Sequence, residues 1–114
     1  LATSSVESRA RMILDSNGIL SLFDHLVFAK DVKRSKPYPD IFLKACSDLN
    51  VLPENCLVLE DSEAGIEAAS RAGIPVICIP DLKIPAQSFL NKTEQVFQDL
   101  DAVRDYLESK KEVF

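Results

Sequence analysis

Apolar and polar positions along this chain fall into short blocks that alternate between strand-like runs and helical spacing. Leu1, Ala2 and Thr3 read as the end of a strand. Ser4 with Glu7 has the spacing of a capping box, opening a helix that carries Val6, Ala10, Ile13 and Leu14 and stops at Gly18. His25 to Lys30 is a second strand, centred on Leu26, Val27 and Phe28. Asp31 to Asp40 is a basic loop whose prolines set extended geometry, and the helix after it carries Ile41, Phe42, Ala45 and Leu49. The continuous apolar run Cys56 to Leu59 has the pattern of a strand covered on both faces. Ala64, Ala68, Ala69 and Ala72 then lie on one face of a helix that Gly73 ends. Pro75 to Pro80 is a strand by its β-branched content, with prolines only at its ends. Asp81 to Lys92 reads as a loop, and Thr93 to Phe114 as a short strand near Val96 and Phe97 followed by an amphipathic helix bearing Val103, Tyr106 and Leu107. Strands alternating with helices predict an α/β domain with a mainly parallel sheet.

Composition narrows this picture. At 114 residues, 46% apolar and 27% charged, the chain fits one soluble domain with enough core to fold. A net charge of -5 argues against nucleic acid as a partner. No run approaches the roughly 18 uncharged apolar residues of a membrane span, and no signal peptide stands at the start, so the expected setting is cytoplasmic, away from membranes. Cys46, Cys56 and Cys78 are an odd number without metal-ligand spacing, each in an apolar segment, and read as reduced core thiols. Because Leu1 already stands at the end of a strand, further chain is expected ahead of it.

Candidate chemistry gathers at strand ends. Glu60 and Asp61 stand side by side at the carboxyl end of a parallel strand, where open α/β sheets bind ligands, and two adjacent carboxylates there suit a cation. The alternative is a solvated turn in which Asp61 or Ser62 caps the next helix. Ala64 and Gly65 leave the helix's first turn almost bare, which permits close approach of backbone or ligand. Thr3, Ser4 and Ser5 offer hydroxyls and free backbone N–H groups suited to phosphate, although serine-rich caps are common. Pro37 and Pro39 hold Lys36 on a stiffened backbone, where it could neutralise phosphate or carboxylate or remain an ordinary solvated lysine. His25, the only histidine, has no carboxylate or cysteine at an obvious ligand spacing and receives no role. Asp99-Leu-Asp101 is better read as favourable charge at the start of the last helix than as a catalytic pair.

Taken together, Leu1-Ala-Thr-Ser-Ser5, Ser35-Lys-Pro-Tyr-Pro-Asp-Ile-Phe42 and Leu57-Val-Leu-Glu-Asp-Ser-Glu-Ala-Gly-Ile-Glu-Ala-Ala69 resemble, in order and spacing, motifs of the haloacid dehalogenase superfamily. The nearest likeness is to its β-phosphoglucomutase-like sugar-phosphate phosphatases and mutases, over essentially the whole chain. The resemblance implies a three-layer, Rossmann-like α/β core and a magnesium-dependent reaction on a small phosphorylated metabolite through an aspartyl phosphate. It implies that Thr3 and Ser4 bind phosphoryl oxygens, that Lys36 pairs with phosphoryl group and nucleophile, and that Glu60 and Asp61 hold Mg2+. Magnesium fits physically, being a hard cation that takes carboxylate oxygen and keeps positions for water and phosphate.

The family's first motif, a strand ending Asp-x-Asp, and its helical cap are not found in residues 1–114. The chain is therefore expected to be the C-terminal portion of the core domain, without the central strand and inactive alone. The missing N-terminal segment would be its structural partner. The strand ending at Thr3 and the strand from Cys56 to Leu59 should then fail to pair with each other. Two alternatives from other classes are a noncatalytic interaction module that keeps the fold and a receiver-like domain. Motif order opposes the receiver, which carries its acidic residues near the start and its lysine near the end.

Overall fold

The computed structural model describes residues 1–111. The last part of the expected C-terminal helical segment, residues 112–114, lies outside that range. Among the described residues, five strands and five α-helices alternate. In order they are β1 (Ala2–Thr3), α1 (Glu7–Ser16), β2 (Val27–Phe28), α2 (Asp40–Leu49), β3 (Val58–Glu60), α3 (Glu63–Ala72), β4 (Val76–Cys78), α4 (Gln87–Leu90), β5 (Gln95–Val96) and α5 (Leu100–Ser109).

Every described strand pair is parallel. β1 pairs with β2 in the register Ala2 to Val27. β3 pairs with β4 in the register Val58 to Val76, and β4 pairs with β5 through Ile77 and Gln95. The result is two sheets, ordered β1-β2 and β3-β4-β5, with no ladder joining β1 to β3 among the described residues. Leu1 and Ala2 on one side and Val58, Leu59 and Glu60 on the other border a cleft of about 550 Å³, with Phe42, Ala45 and Cys46 of α2 along it. The two strands have kept apart, as expected.

The core lies where α2 and α3 cover the sheets. Ile41, Phe42 and Cys46 of α2 meet Ile66, Ala68 and Ala69 of α3 and Val58, Val76 and Cys78 of the strands. Alanines suit this layer because small side chains let the helix approach the sheet closely, in a packed interior without sizeable voids. Gly73 ends α3 at φ 74°, and Asn50 ends α2 at φ 56°, both left-handed caps. On the opposite face of the larger sheet, Val103 of α5 is buried and Tyr106 packs on Phe97 with ring centroids 5.2 Å apart.

Several expectations need correction. The Ser4–Glu7 capping box does not form: α1 starts at Glu7 behind Val6, whose backbone is extended and gives no side-chain cap. Ser5 instead donates its backbone N–H to Thr3 Oγ1 at 3.1 Å, and Glu7 pairs with Arg11 and Lys30. Of the expected inner face of α1 only Ala10 is buried, with Val6 and Ile13 exposed. β3 is not covered on both faces, since Val58 is buried while Leu57 and Leu59 are 40% and 43% exposed. Alternate residues of a strand point to opposite faces, so one face of β3 meets the core and the other is open. The loop from Asp81 to Lys92 contains the short helix α4. Ala64 is exposed, although Ala68, Ala69 and Ala72 share the buried face as expected.

Candidate active site

The site begins with β3. Its last residue, Glu60, would point a carboxylate from the sheet into the space beneath the first turn of α3. Four donors receive it there. Lys36 Nζ donates to Oε1 at 2.8 Å, while Oε2 accepts from the Asp61 and Ser62 backbone N–H groups at 3.2 and 3.3 Å and from Ser62 Oγ at 3.0 Å. The side chains of Lys36 and Glu60 are only 14% and 10% exposed. Burial by itself would push the Glu60 carboxyl up, yet the Lys36 ammonium and the Ser62 amide and hydroxyl hold it below its ordinary value.

Ser62 has two tasks. Its hydroxyl proton goes to Glu60, and its lone pair accepts the Gly65 N–H at 3.1 Å, which makes Ser62 the N-cap of α3. This settles which residue caps the helix. Asp61, between Glu60 and Ser62, is left exposed. Its negative charge, after burial and together with that of Glu60, helps raise the Cys78 thiol, so both carboxylates stand close to the carboxyl end of β4. Glu60, Asp61 and Asp81 border one shallow depression of about 310 Å³.

The loop carrying Lys36 is braced from both ends. Arg34 grips Asp40 through two nitrogens, at 3.3 and 3.0 Å, and lies 4.4 Å from the centroid of the Tyr38 ring. The Lys36-Pro37 peptide bond is cis. Lys36 Nζ stands 5.3 Å from the centroid of the Phe42 ring in α2, so the ammonium faces an aromatic ring as well as Glu60. Thr3 and Ser4 lie at the carboxyl end of β1, just beyond Ala2, which lines the same cleft as Glu60. The Thr3 oxygen accepts from Ser5, leaving its hydroxyl proton free for another acceptor.

Two further residues find their partners outside this cluster. His25 Nε2 meets Asp48 Oδ2 at 2.7 Å, a contact between the start of β2 and α2 across 23 positions. Asp99 accepts the Ala102 N–H at 2.8 Å and caps α5, in keeping with its reading as helix-start charge. Sequence reasoning missed the second bond of Ser62, the Arg34–Asp40 brace and the placement of Asp81 beside the acidic pair. Only the Arg34–Asp40 brace had a local signal, opposite charges flanking a proline-stiffened loop.

The donor set is hard oxygen, the chemistry a magnesium ion takes. Asp61 has the open carboxylate, whereas both Glu60 oxygens already accept hydrogen bonds. Among the described residues no group of three or more His, Cys, Asp or Glu could hold a metal ion, so Glu60 and Asp61 do not by themselves complete a site.

In sequence and in fold, the chain matches known proteins. A family model described as "Haloacid dehalogenase-like hydrolase" matches residues 1–79, and the chain belongs to that family. It is 39% identical over 104 residues to the validoxylamine A 7'-phosphate phosphatase of Streptomyces hygroscopicus, covering 91% of this chain and 48% of that protein. It is 45% identical over 74 residues to a phosphorylated carbohydrates phosphatase of Thermotoga maritima, covering 65% of this chain and 34% of that one. Among solved structures, a protein assigned as a β-phosphoglucomutase from Thermotoga maritima superposes with a TM-score of 0.82 at 33% identity, over 100% of this chain and 52% of that one. The chain thus spans about half or less of the length of these relatives.

Proposed function

We propose that this chain forms the C-terminal portion of the core of a magnesium-dependent phosphatase or phosphomutase acting on a small phosphorylated metabolite, most simply a sugar phosphate. The observation that carries this reading is the Lys36–Glu60 pair, seated at the end of β3 beside the open carboxylate of Asp61. The relatives named above support the substrate class, since by name one acts on validoxylamine A 7'-phosphate and another on phosphorylated carbohydrates.

In this reading, the Thr3 hydroxyl and the adjacent Ser4 backbone orient the phosphoryl oxygens. Lys36 places positive charge where negative charge grows on the transferring group, and Glu60 keeps that ammonium fixed so that little reorganisation is needed as the reaction proceeds. Asp61, with Glu60 beside it, would hold magnesium, which supplies Lewis-acid stabilisation of phosphoryl charge. The attacking aspartate would come from chain outside residues 1–114, as would the cap, and the phosphoryl group would pass through an aspartyl phosphate.

The test is phosphate release from a panel of sugar phosphates by the protein in its longest encoded form, with and without magnesium. Lys36→Ala should lower turnover by roughly 10²- to 10³-fold, a loss typical of removing one charge-stabilising group. Asp61→Asn should weaken magnesium binding measured by calorimetry. Turnover equal to wild type in the Lys36→Ala protein would overturn the assignment, and the isolated 114-residue chain should release no phosphate, because the strand-end Asp-x-Asp that would supply the attacking aspartate is not found in residues 1–114.

A further inference from the structure

Gly65 is the third residue of α3, and its backbone is not in the left-handed region that glycine alone adopts readily. Helical geometry therefore gives no reason for glycine here, and alanine would favour the helix by up to about fivefold in its folding equilibrium. Space gives the reason. A Cβ built on Gly65 would fall inside the Glu60 carboxyl group, overlapping Cδ and both oxygens. The other two glycines, Gly18 and Gly73, have nothing within 4 Å of such an atom and owe their presence to positive φ. Gly65 is buried, and the atoms it would strike are the end of a flexible side chain, with no backbone atom among the three nearest.

We propose that Gly65 is a positioning residue for Lys36: its missing side chain is the seat of the Glu60 carboxylate, and the seated carboxylate in turn fixes the ammonium. This rests on the reading above that Lys36 serves the reaction, but the seat itself is a matter of geometry. Ser62 closes the seat by clamping Oε2 while accepting the Gly65 N–H, so the cap and the carboxylate are held by one hydroxyl. A side chain at position 65 would displace the carboxylate, since its Cβ would overlap the Glu60 Cδ and both oxygens. The backbone would remain, and the ion pair would open.

A double-mutant cycle separates this from ordinary helix packing. In the wild-type background Gly65→Ala should lower the folding equilibrium constant by tenfold or more in urea titration, despite the gain in helix propensity. In a Glu60→Ala background the same change should be neutral or raise it by up to about fivefold. A second readout is amine acylation followed by mass spectrometry. Lys36, shielded by Glu60 and Phe42, should label severalfold faster in Gly65→Ala, while the exposed Lys33 should be unchanged. Equal effects of Gly65→Ala in both backgrounds, with unchanged Lys36 labelling, would overturn the proposal. Coupling and faster labelling with undiminished phosphate release would uphold the seat and instead refute the part given to Lys36 in the reaction.

Discussion

Replacing Lys36 by Met removes the ammonium, which faces both Glu60 and the Phe42 ring, while keeping an unbranched side chain of similar length, so it isolates the charge. At 2.8 Å the bare attraction between the two charges is about 6 kcal/mol in an effective dielectric of about 20. Desolvation of both groups offsets much of that. Exposed pairs contribute under about 1 kcal/mol, whereas breaking a buried pair costs about 3–5 kcal/mol. With side chains 14% and 10% exposed, this pair lies nearer the buried case, and we expect Lys36→Met to cost about 2–3 kcal/mol at neutral pH. The pH dependence gives a sharper test. Glu60 has its folded carboxyl held below the ordinary value, so its contribution is present above that value and is lost as pH falls through the folded one. In the variant, burial remains without the lysine to oppose it, and Glu60 should protonate at higher pH. The stability gap between the two proteins should therefore be widest near neutrality and shrink as pH falls below the ordinary carboxylate range. Urea unfolding of both proteins across that range measures the gap. A gap of the same size at both ends, or one below about 0.5 kcal/mol at neutrality, would refute the electrostatic account.

Ser62→Ala removes the α3 cap and one donor to Glu60 together, and should cost about 1–2 kcal/mol in urea unfolding, with Ser62→Thr restoring most of it. The Cys46 thiol, pushed up to about 11 by burial and by its hydrogen bond with Cys56, should alkylate at mildly alkaline pH at least about 10²-fold more slowly than a free cysteine. Labelling followed by mass spectrometry measures this, and equal rates would contradict the burial seen for that residue. Arg34→Ala should loosen the loop that carries Lys36 and lower protection of its amides from hydrogen exchange, leaving α3 unaffected.

Element type was readable wherever local pattern and tertiary environment agreed. The alanine face of α3 and its Gly73 stop, the β-branched run of β4 and the aspartate cap of α5 are all local signals with local causes. The failures have a common origin in competition between partners. Ser4 and Glu7 have capping-box spacing, but Glu7 finds Arg11 one turn on and Lys30 beyond β2, and Thr3 takes the nearby amide. The apolar run of β3 reveals that the residues can be buried, not which face is covered. Within the site, Lys36 and Glu60 are 24 positions apart, and only the motif resemblance suggested that they belong together. The Gly65 seat was visible as a bare helix start, but its occupant required coordinates.

The division of the strands into two sheets affects how the site is held together. Within a sheet, backbone hydrogen bonds fix the spacing of neighbouring strands at about 4.8 Å. No such bonds join β1 to β3 among the described residues, and α2 is the element that packs against β1, β2 and α3 alike. Within residues 1–111 the two sheets are therefore connected through α2, whose Phe42 lines the cleft between Ala2 and Glu60, by hydrocarbon contacts that are less directional than a ladder. Trimming Phe42 should therefore loosen the packing between β1 and β3 without touching Thr3 or Glu60, and under the proposed function that would change the gap offered to a phosphoryl group.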